Sequence, residues 1–186
     1  MKYSIRAYYT KEYIRVYQAY SDTIADSVLA SGKFISPPFN LSRMTWIKPS
    51  FLWMMHRSGW GGKEQNQKRI LAIDLKHSAF SEILSLGVSS NFEQSDFSCF
   101  EEWKILAKNS DVLIQWDPDR DILLNKMERR TIQIGLRNDA VIKYVNEWIV
   151  NITDVTGFSN EIKNLVLQGE IDKALAKLPK EYVYYV

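Results

Sequence analysis

A single α+β domain, with a mixed or antiparallel sheet and flanking helices, is what the 186-residue sequence predicts, and three observations lead to it. Short runs rich in β-branched and aromatic residues recur along the chain, separated by segments whose apolar residues fall at helical spacing. The first two runs are close enough to form a hairpin, which is an antiparallel pairing. No repeat, low-complexity tract or linker divides the chain, and its length suits one core, so residues 1–186 read as one domain.

Residues 4–9 and 14–19 are the hairpin strands, around the polar turn Thr10, Lys11, Glu12. Alternation puts Ile14 and Val16 on one face and Arg15, Tyr17 and Ala19 on the other, toward a wet face or a cleft. Ser21 then caps a helix with the stripe Ile24, Val28, Leu29, and Gly32 ends it. Pro37 and Pro38 impose an extended loop over 36–39. Residues 44–47 form a short strand, and Pro49 or Ser50 starts a helix that Gly59 stops. In that helix Trp53, Arg57 and Trp60 fall at i, i+4 and i+7, which lets the Arg57 guanidinium lie between two indole rings.

Beyond a loop at 61–67, residues 69–75 are a strand, Ser78 caps a helix running to Gly87, and 88–97 is loop. A short helix at 100–108 leads to a strand at 111–116, and residues 117–121 read as a turn. The strand at 131–136 alternates, with Gln133 opposite Ile132, Ile134 and Leu136. Asn138 or Asp139 caps a helix to about residue 150 with Val141, Tyr144, Val145 and Trp148 as its stripe. Helices at 159–168 and 170–178 follow, and the tail at 181–186 has strand character.

Composition removes several function classes. A net charge of +2 and a pI near 8.5 are too mild for a general nucleic-acid coat, so polyanion binding requires a local patch. Cys99 is the only cysteine, which leaves no disulfide framework and no cysteine-rich zinc site; it reads as a small core residue. His56 and His77 lack metal-ligand spacing, and no metal is predicted. Asp117, Asp119 and Asp121 alternate like the start of a calcium loop but lack its glycine and distal glutamate, so they read as a solvated turn. The N-terminus lacks the apolar core of a signal peptide and no run reaches membrane-span length, which points to a cytoplasmic protein with no membrane partner.

The stretch from 43 to 60 is where the sequence departs from ordinary fold requirements. It holds three tryptophans, three methionines and four basic residues, and no acid occurs from 27 through 63 although the chain has 22 acids against 24 bases. A region cleared of negative charge suits an anionic ligand. Lys48, Pro49 and Ser50 open a helix, where free N–H groups, a hydroxyl and an ammonium make an anion site, and Arg43 can add a bidentate contact. The same residues have a plainer reading, in which Ser50 only caps and Lys48 reaches solvent. Trp46, Trp53 and Trp60 are candidates to stack a base, with Trp53 the one read as core and Trp60, beside Gly61 and Gly62, as the ligand contact.

Five stretches together resemble a family of small bacterial and fungal proteins catalogued as a domain of unknown function. They are Val-Tyr-Gln-Ala-Tyr-Ser (16–21), Arg-Met-Thr-Trp-Ile-Lys-Pro-Ser-Phe-Leu-Trp-Met-Met (43–55), Arg-Ser-Gly-Trp (57–60), Gln-Trp-Asp-Pro-Asp-Arg-Asp (115–121) and Ile-Gln-Ile-Gly-Leu-Arg (132–137). The unit from Val16 through a helix to Ser31, Gly32, Lys33 and Phe34 is also similar to the opening of diphtheria-toxin-like ADP-ribosyltransferases, including the tRNA 2′-phosphotransferase branch. That second resemblance implies NAD as cofactor. It puts Gln18 where the histidine that holds the ribose stands, Ala19 at the glycine, and Gln133 on the late strand that carries the catalytic glutamate.

The expectation is a protein that binds a nucleotide or RNA end through a basic cleft, as an ADP-ribosyltransferase- or RNA 2′-phosphotransferase-like enzyme. Lys48, Arg57 and Gln133 are its expected catalytic residues. Arg43 and Ser50 join Lys48 and Arg57 on phosphate, Arg137 adds positive charge, and Tyr17, Gln18 and Trp60 hold sugar and base. The alternative is a noncatalytic RNA- or protein-binding module that uses the same basic aromatic surface.

Overall fold

The computed structural model describes residues 2–185. Its central strand is β4 (Arg69–Lys76), Arg-Ile-Leu-Ala-Ile-Asp-Leu-Lys, which is apolar on both faces and therefore needs cover on both. It pairs antiparallel with β2 (Tyr13–Tyr20) and with β8 (Ile149–Asp154). One face of this sheet presents Ile14, Val16, Leu71, Ile73 and Leu75 to the main core; the other presents Tyr17, Ile70 and Ala72 to a second cluster.

A second, four-stranded sheet closes the main core with Ile47, Val112, Ile132, Ile134 and Leu136. Its order is β3 (Thr45–Ile47), β7 (Lys126–Leu136), β6 (Val112–Arg120) and β5 (Gly87–Ser89); the first two pairings are antiparallel and β6 with β5 is parallel. The helices α1 (Asp22–Ser31), α3 (His77–Ser85) and α5 (Asp139–Lys143) add side chains to this core. The helices α2 (Phe51–Ser58), α6 (Thr156–Leu167) and α7 (Ile171–Lys177) supply the second cluster on the outer face of the three-stranded sheet. A two-stranded ribbon of β1 (Arg6–Ala7) and β9 (Tyr182–Val183) ties the ends of the chain together, and α4 (Phe100–Asn109) borders β5. The fold is α+β with mixed and antiparallel sheets.

Several sequence expectations change here. The hairpin reduces to a bridge between Tyr9 and Ile14, because β2 has the longer apolar strand β4 as its partner and β1 pairs with β9. The tail pairs as expected over Tyr182–Val183, while Val186 lies outside the described residues. Residues 36–38 form a turn, with the Phe39 N–H donating to Ile35 O at 3.0 Å. The helix from 139 does not run to 150: a π turn over Tyr144–Trp148 ends it, and the β-branched run Ile149, Val150, Ile152, Thr153 enters the sheet as β8. Val88 lies in β5 and not in a loop, and Cys99 is exposed at the start of α4.

The largest departure concerns residues 117–121. β6 continues through Pro118 to Arg120, with a bulge between them, and the turn comes later. Pro118 is tolerated because β5 pairs only with Val112 to Ile114, so β6 is an edge strand from there on. The three aspartates consequently part company. Asp121 accepts from the N–H groups of Leu123 and Asn125 and makes the turn; Asp119 is buried against α2; Asp117 faces a cleft.

The N-terminus of α2 is built around carboxylates from distant parts of the chain. The Phe51 N–H donates to Glu181 Oε1 at 2.6 Å, and the Ser50 hydroxyl donates to Asp119 Oδ1 at 3.1 Å. Burial, the dominant influence, pushes the Glu181 carboxyl up to about 8 from 4.5, against the opposing pull of the Phe51 N–H. The folded state thus keeps a proton that the unfolded chain releases across that interval. The stabilisation from Glu181 is complete below about pH 4.5 and is lost as pH rises through about 8. Glu181→Gln should flatten the fall in unfolding free energy over that window, an effect on the order of a few kcal/mol, measured by urea denaturation at a series of pH values.

Candidate functional site

The two sheets meet at one corner. After β3 leaves β7, the Tyr17 N–H donates to Lys48 O at 2.8 Å and the Lys48 N–H donates to Tyr17 O at 3.2 Å, so the strand that begins in one sheet ends against the other. A cleft of about 600 Å³ opens beside this corner. Its floor and walls come from β2, β3, α2, β6 and β7, and Arg43 and Arg57 line it as exposed cations.

Lys48 is 6% exposed and lines the cleft. Its ammonium makes one hydrogen bond, to Trp46 O at 3.0 Å. Burial, and then the Arg57 guanidinium, pull it down to about 7 from 10.5, with Asp117 acting in the opposite direction. Gln133 and Gln115 are cross-strand partners on the cleft face. Gln133 Nε2 donates to Asp117 Oδ2 at 2.9 Å and Gln115 Nε2 to Asp117 Oδ1 at 3.1 Å, so two amides hold one carboxylate in the cleft and leave each oxygen a free lone pair.

Aromatic walls stand on either side. Trp46 lies opposite Gly135, where an added Cβ would meet its ring carbons at 3.0 Å and Met44 Sδ at 2.6 Å. Glycine at 135 is what gives that indole room to lie across β7. Trp53 is 5% exposed and lines the cleft, stacked with the His56 ring at 5.2 Å. Its cation partner is Arg120, 5.3 Å from the ring centroid, and not Arg57. The expected Arg57 sandwich fails because Gly59 takes φ 57° and ends the helix before Trp60, which therefore does not continue the i, i+4, i+7 face. Burial, then Arg120 and Arg57, hold the His56 imidazole below its ordinary value.

Of the residues the sequence singled out, Lys48, Arg43, Arg57, Gln18 and Gln133 line this one cleft. Gln18 is 3% exposed and its amide is committed: it donates to Thr45 Oγ1 at 2.6 Å and Trp46 O at 3.2 Å, and accepts from the Tyr144 hydroxyl at 2.7 Å. It positions β3 against β2 and has no N–H left for a ribose.

Four residues are elsewhere. Tyr17 is 2% exposed and packs edge-on against Phe51, because its sheet is covered on both faces and has no wet side. Ser50 is buried as the α2 cap, accepting from the Trp53 N–H at 3.3 Å, and the helix terminus serves Asp119 and Glu181. Trp60 packs against Phe51 at 6.3 Å in the second cluster. Arg137 donates to the carbonyls of Ala107, Lys108 and Ser110, closing the C-terminal end of α4.

Asp117 and Gln115 join the cleft although the sequence places Asp117 in a solvated turn and does not single out Gln115. Leu113, Gln115 and Asp117 alternate with Val112, Ile114 and Trp116, so the strand expected over 111–116 carries Gln115 and continues through Asp117, a continuation that the proline and the run of aspartates obscure.

An α+β protein with a polar, cation-rimmed cleft at the junction of two sheets is thus the class that fold and site define. The chain belongs to the family DUF4291, described as a domain of unknown function, whose model matches residues 4–184. No curated protein matches it. Among the described residues no helix is long and apolar enough to cross a membrane.

Ser50→Ala removes a cap and the hydroxyl that donates to buried Asp119, and should lower the unfolding free energy by about 1–3 kcal/mol in urea titrations. Arg57→Ala, at an exposed position without an ion pair among the described residues, should change it by no more than about 0.5 kcal/mol.

Proposed function

We propose that the cleft binds a phosphate-bearing nucleotide or nucleic-acid end and works as a transferase of the ADP-ribosyltransferase or RNA 2′-phosphotransferase type, with a fold related to theirs. The observation that carries this reading is the convergence of Arg43, Lys48 and Arg57, from the basic aromatic stretch, with Gln133 of β7 on one cleft with indoles along its walls. Arg43 and Arg57 are exposed forks suited to phosphate oxygens, and the Trp46 and Trp53 rings suit a base.

Reaction at a ribose C1′ passes through a cationic, oxocarbenium-like state, which a fixed negative group stabilises. Gln133 is neutral, but Asp117 stands beside it, held by Gln115 and Gln133. In this reading Asp117 supplies the carboxylate and the two glutamines aim it. NAD or an RNA phosphate is the proposed ligand, and Gln18 acts by positioning Trp46 and Thr45.

Isothermal titration with NAD, ADP-ribose, mononucleotides and short single-stranded RNAs tests the reading. Arg57→Ala and Arg43→Ala should each weaken the binding of a phosphate-bearing ligand about tenfold, the equivalent of about 1.4 kcal/mol, with the melting temperature unchanged. Asp117→Asn should leave that affinity within about threefold while abolishing ADP-ribose or phosphate transfer. Binding that is indifferent to both arginines removes the proposal. Steeply salt-dependent binding to single-stranded RNA without any response to NAD or mononucleotides favours a docking module instead.

A further inference from the structure

Lys48 carries an amine that the surrounding chain neither pairs with an acid nor seals off. It is 6% exposed, it lines the cleft, and its single hydrogen bond goes to a backbone carbonyl. Among the described residues no carboxylate lies within ion-pair distance of its nitrogen. A desolvated ammonium without a counter-ion gives up its proton readily, more so beside another cation. The charged or titratable groups that share the cleft with it are Arg57 and His56 from α2, Arg43 from the segment before β3, Tyr20 from β2 and Asp117 from β6. Two of these five are guanidiniums against one carboxylate, so the charged groups of the cleft together oppose a further positive charge. Trp53 Nε1, buried in the same wall, has no hydrogen-bond partner among the described residues.

We propose that Lys48 is the nucleophile of the cleft and forms an imine with the open-chain aldehyde of a phosphorylated pentose, whose phosphate Arg43 and Arg57 hold. The inference deepens the phosphate-binding reading given above and rests on it. The Lys48 nitrogen lone pair forms the C–N bond at C1 as the carbonyl π bond breaks toward oxygen. Asp117, beyond direct contact with that nitrogen, accepts the two amine protons in turn through one intervening water and passes them to that oxygen; the C–O bond then breaks and water leaves. The reaction consumes one amine and one aldehyde and releases one water, with no change of oxidation state. A free sugar phosphate and the ring-opened sugar at an abasic position in a nucleic-acid strand present the same aldehyde and phosphate.

Reductive trapping on the intact protein tests this. The protein is incubated at about pH 7, near the value to which burial brings Lys48, with sodium cyanoborohydride and one of three probes, and the adduct is mapped by peptide mass spectrometry. The probes are ribose 5-phosphate, ribose, and a single-stranded oligonucleotide with one abasic site. The expected result is an adduct at Lys48 formed at least about tenfold faster than at any other lysine, lost in Lys48→Met, and about tenfold slower with ribose than with ribose 5-phosphate. The faster of the two phosphorylated probes identifies the source of the sugar. With ribose, Arg57→Gln should move the pH midpoint of trapping upward, which a purely structural lysine would not show. Adducts spread over exposed lysines at rates equal to that at Lys48 overturn the proposal. Selective trapping that ignores the phosphate keeps the amine and removes the phosphate reading. Phosphate binding by Arg43 and Arg57 in titration calorimetry, without a Lys48 adduct, removes the amine and keeps that reading.

Discussion

The backbone bridge between Tyr17 and Lys48 is the constraint on which both the fold and its cleft depend. β3 has only three residues in the four-stranded sheet before the chain must leave it. By pairing next with Tyr17 of β2, the same segment joins the two sheets at a corner and keeps their buried N–H and C=O groups satisfied. The bridge also decides where side chains go. Tyr17 turns into the helix-covered cluster, while Lys48 is held in the cleft with its ammonium folded back onto Trp46 O. Gln18, one residue along, locks the arrangement through Thr45, Trp46 and Tyr144, tying β2, β3 and the turn after α5.

A second constraint works from the other side. The N-terminus of α2 is occupied by internal acids: Asp119 from β6, through the Ser50 hydroxyl, and the Glu181 carboxyl from the tail, which accepts from the Phe51 N–H. Asp119 also accepts from Arg129, so the helix start, the β6–β7 ribbon and the C-terminal segment are held by one polar cluster. That arrangement leaves the helix terminus occupied by internal acids. In the cleft beside it Arg43 and Arg57 are exposed, and Lys48 has no acid paired with it among the described residues.

Much of this was legible in the sequence because it depends on local pattern. The strand at 69–75, the Ser21 and Ser50 caps and the left-handed glycines 32 and 59 follow from side-chain chemistry acting within a few residues. The stretch from 27 to 63 that lacks acids contains Arg43, Lys48 and Arg57, which line the cleft together with Gln133. Ser50, Tyr17, Trp60 and Arg137 stand outside the cleft because each is used elsewhere: Ser50 by Asp119, Tyr17 and Trp60 by the cluster around Phe51, and Arg137 by the carbonyls that end α4. Asp117, a solvated-turn residue by its sequence, reaches the cleft because a proline that ends most strands is harmless on an edge beyond the reach of β5.

By itself, then, the sequence determined the class of the fold, most of its elements, its family and the basic aromatic stretch, all of which rest on periodicity, caps and motifs. Only the tertiary structure decided which charges are available to a ligand. A carboxyl beside a helix terminus and a lysine without an acid partner are properties of distances between segments far apart in the chain, 130 positions in the case of Phe51 and Glu181. It is that placement which removes Ser50 from the site, brings in Asp117, and turns Lys48 from an expected phosphate anchor into a buried amine.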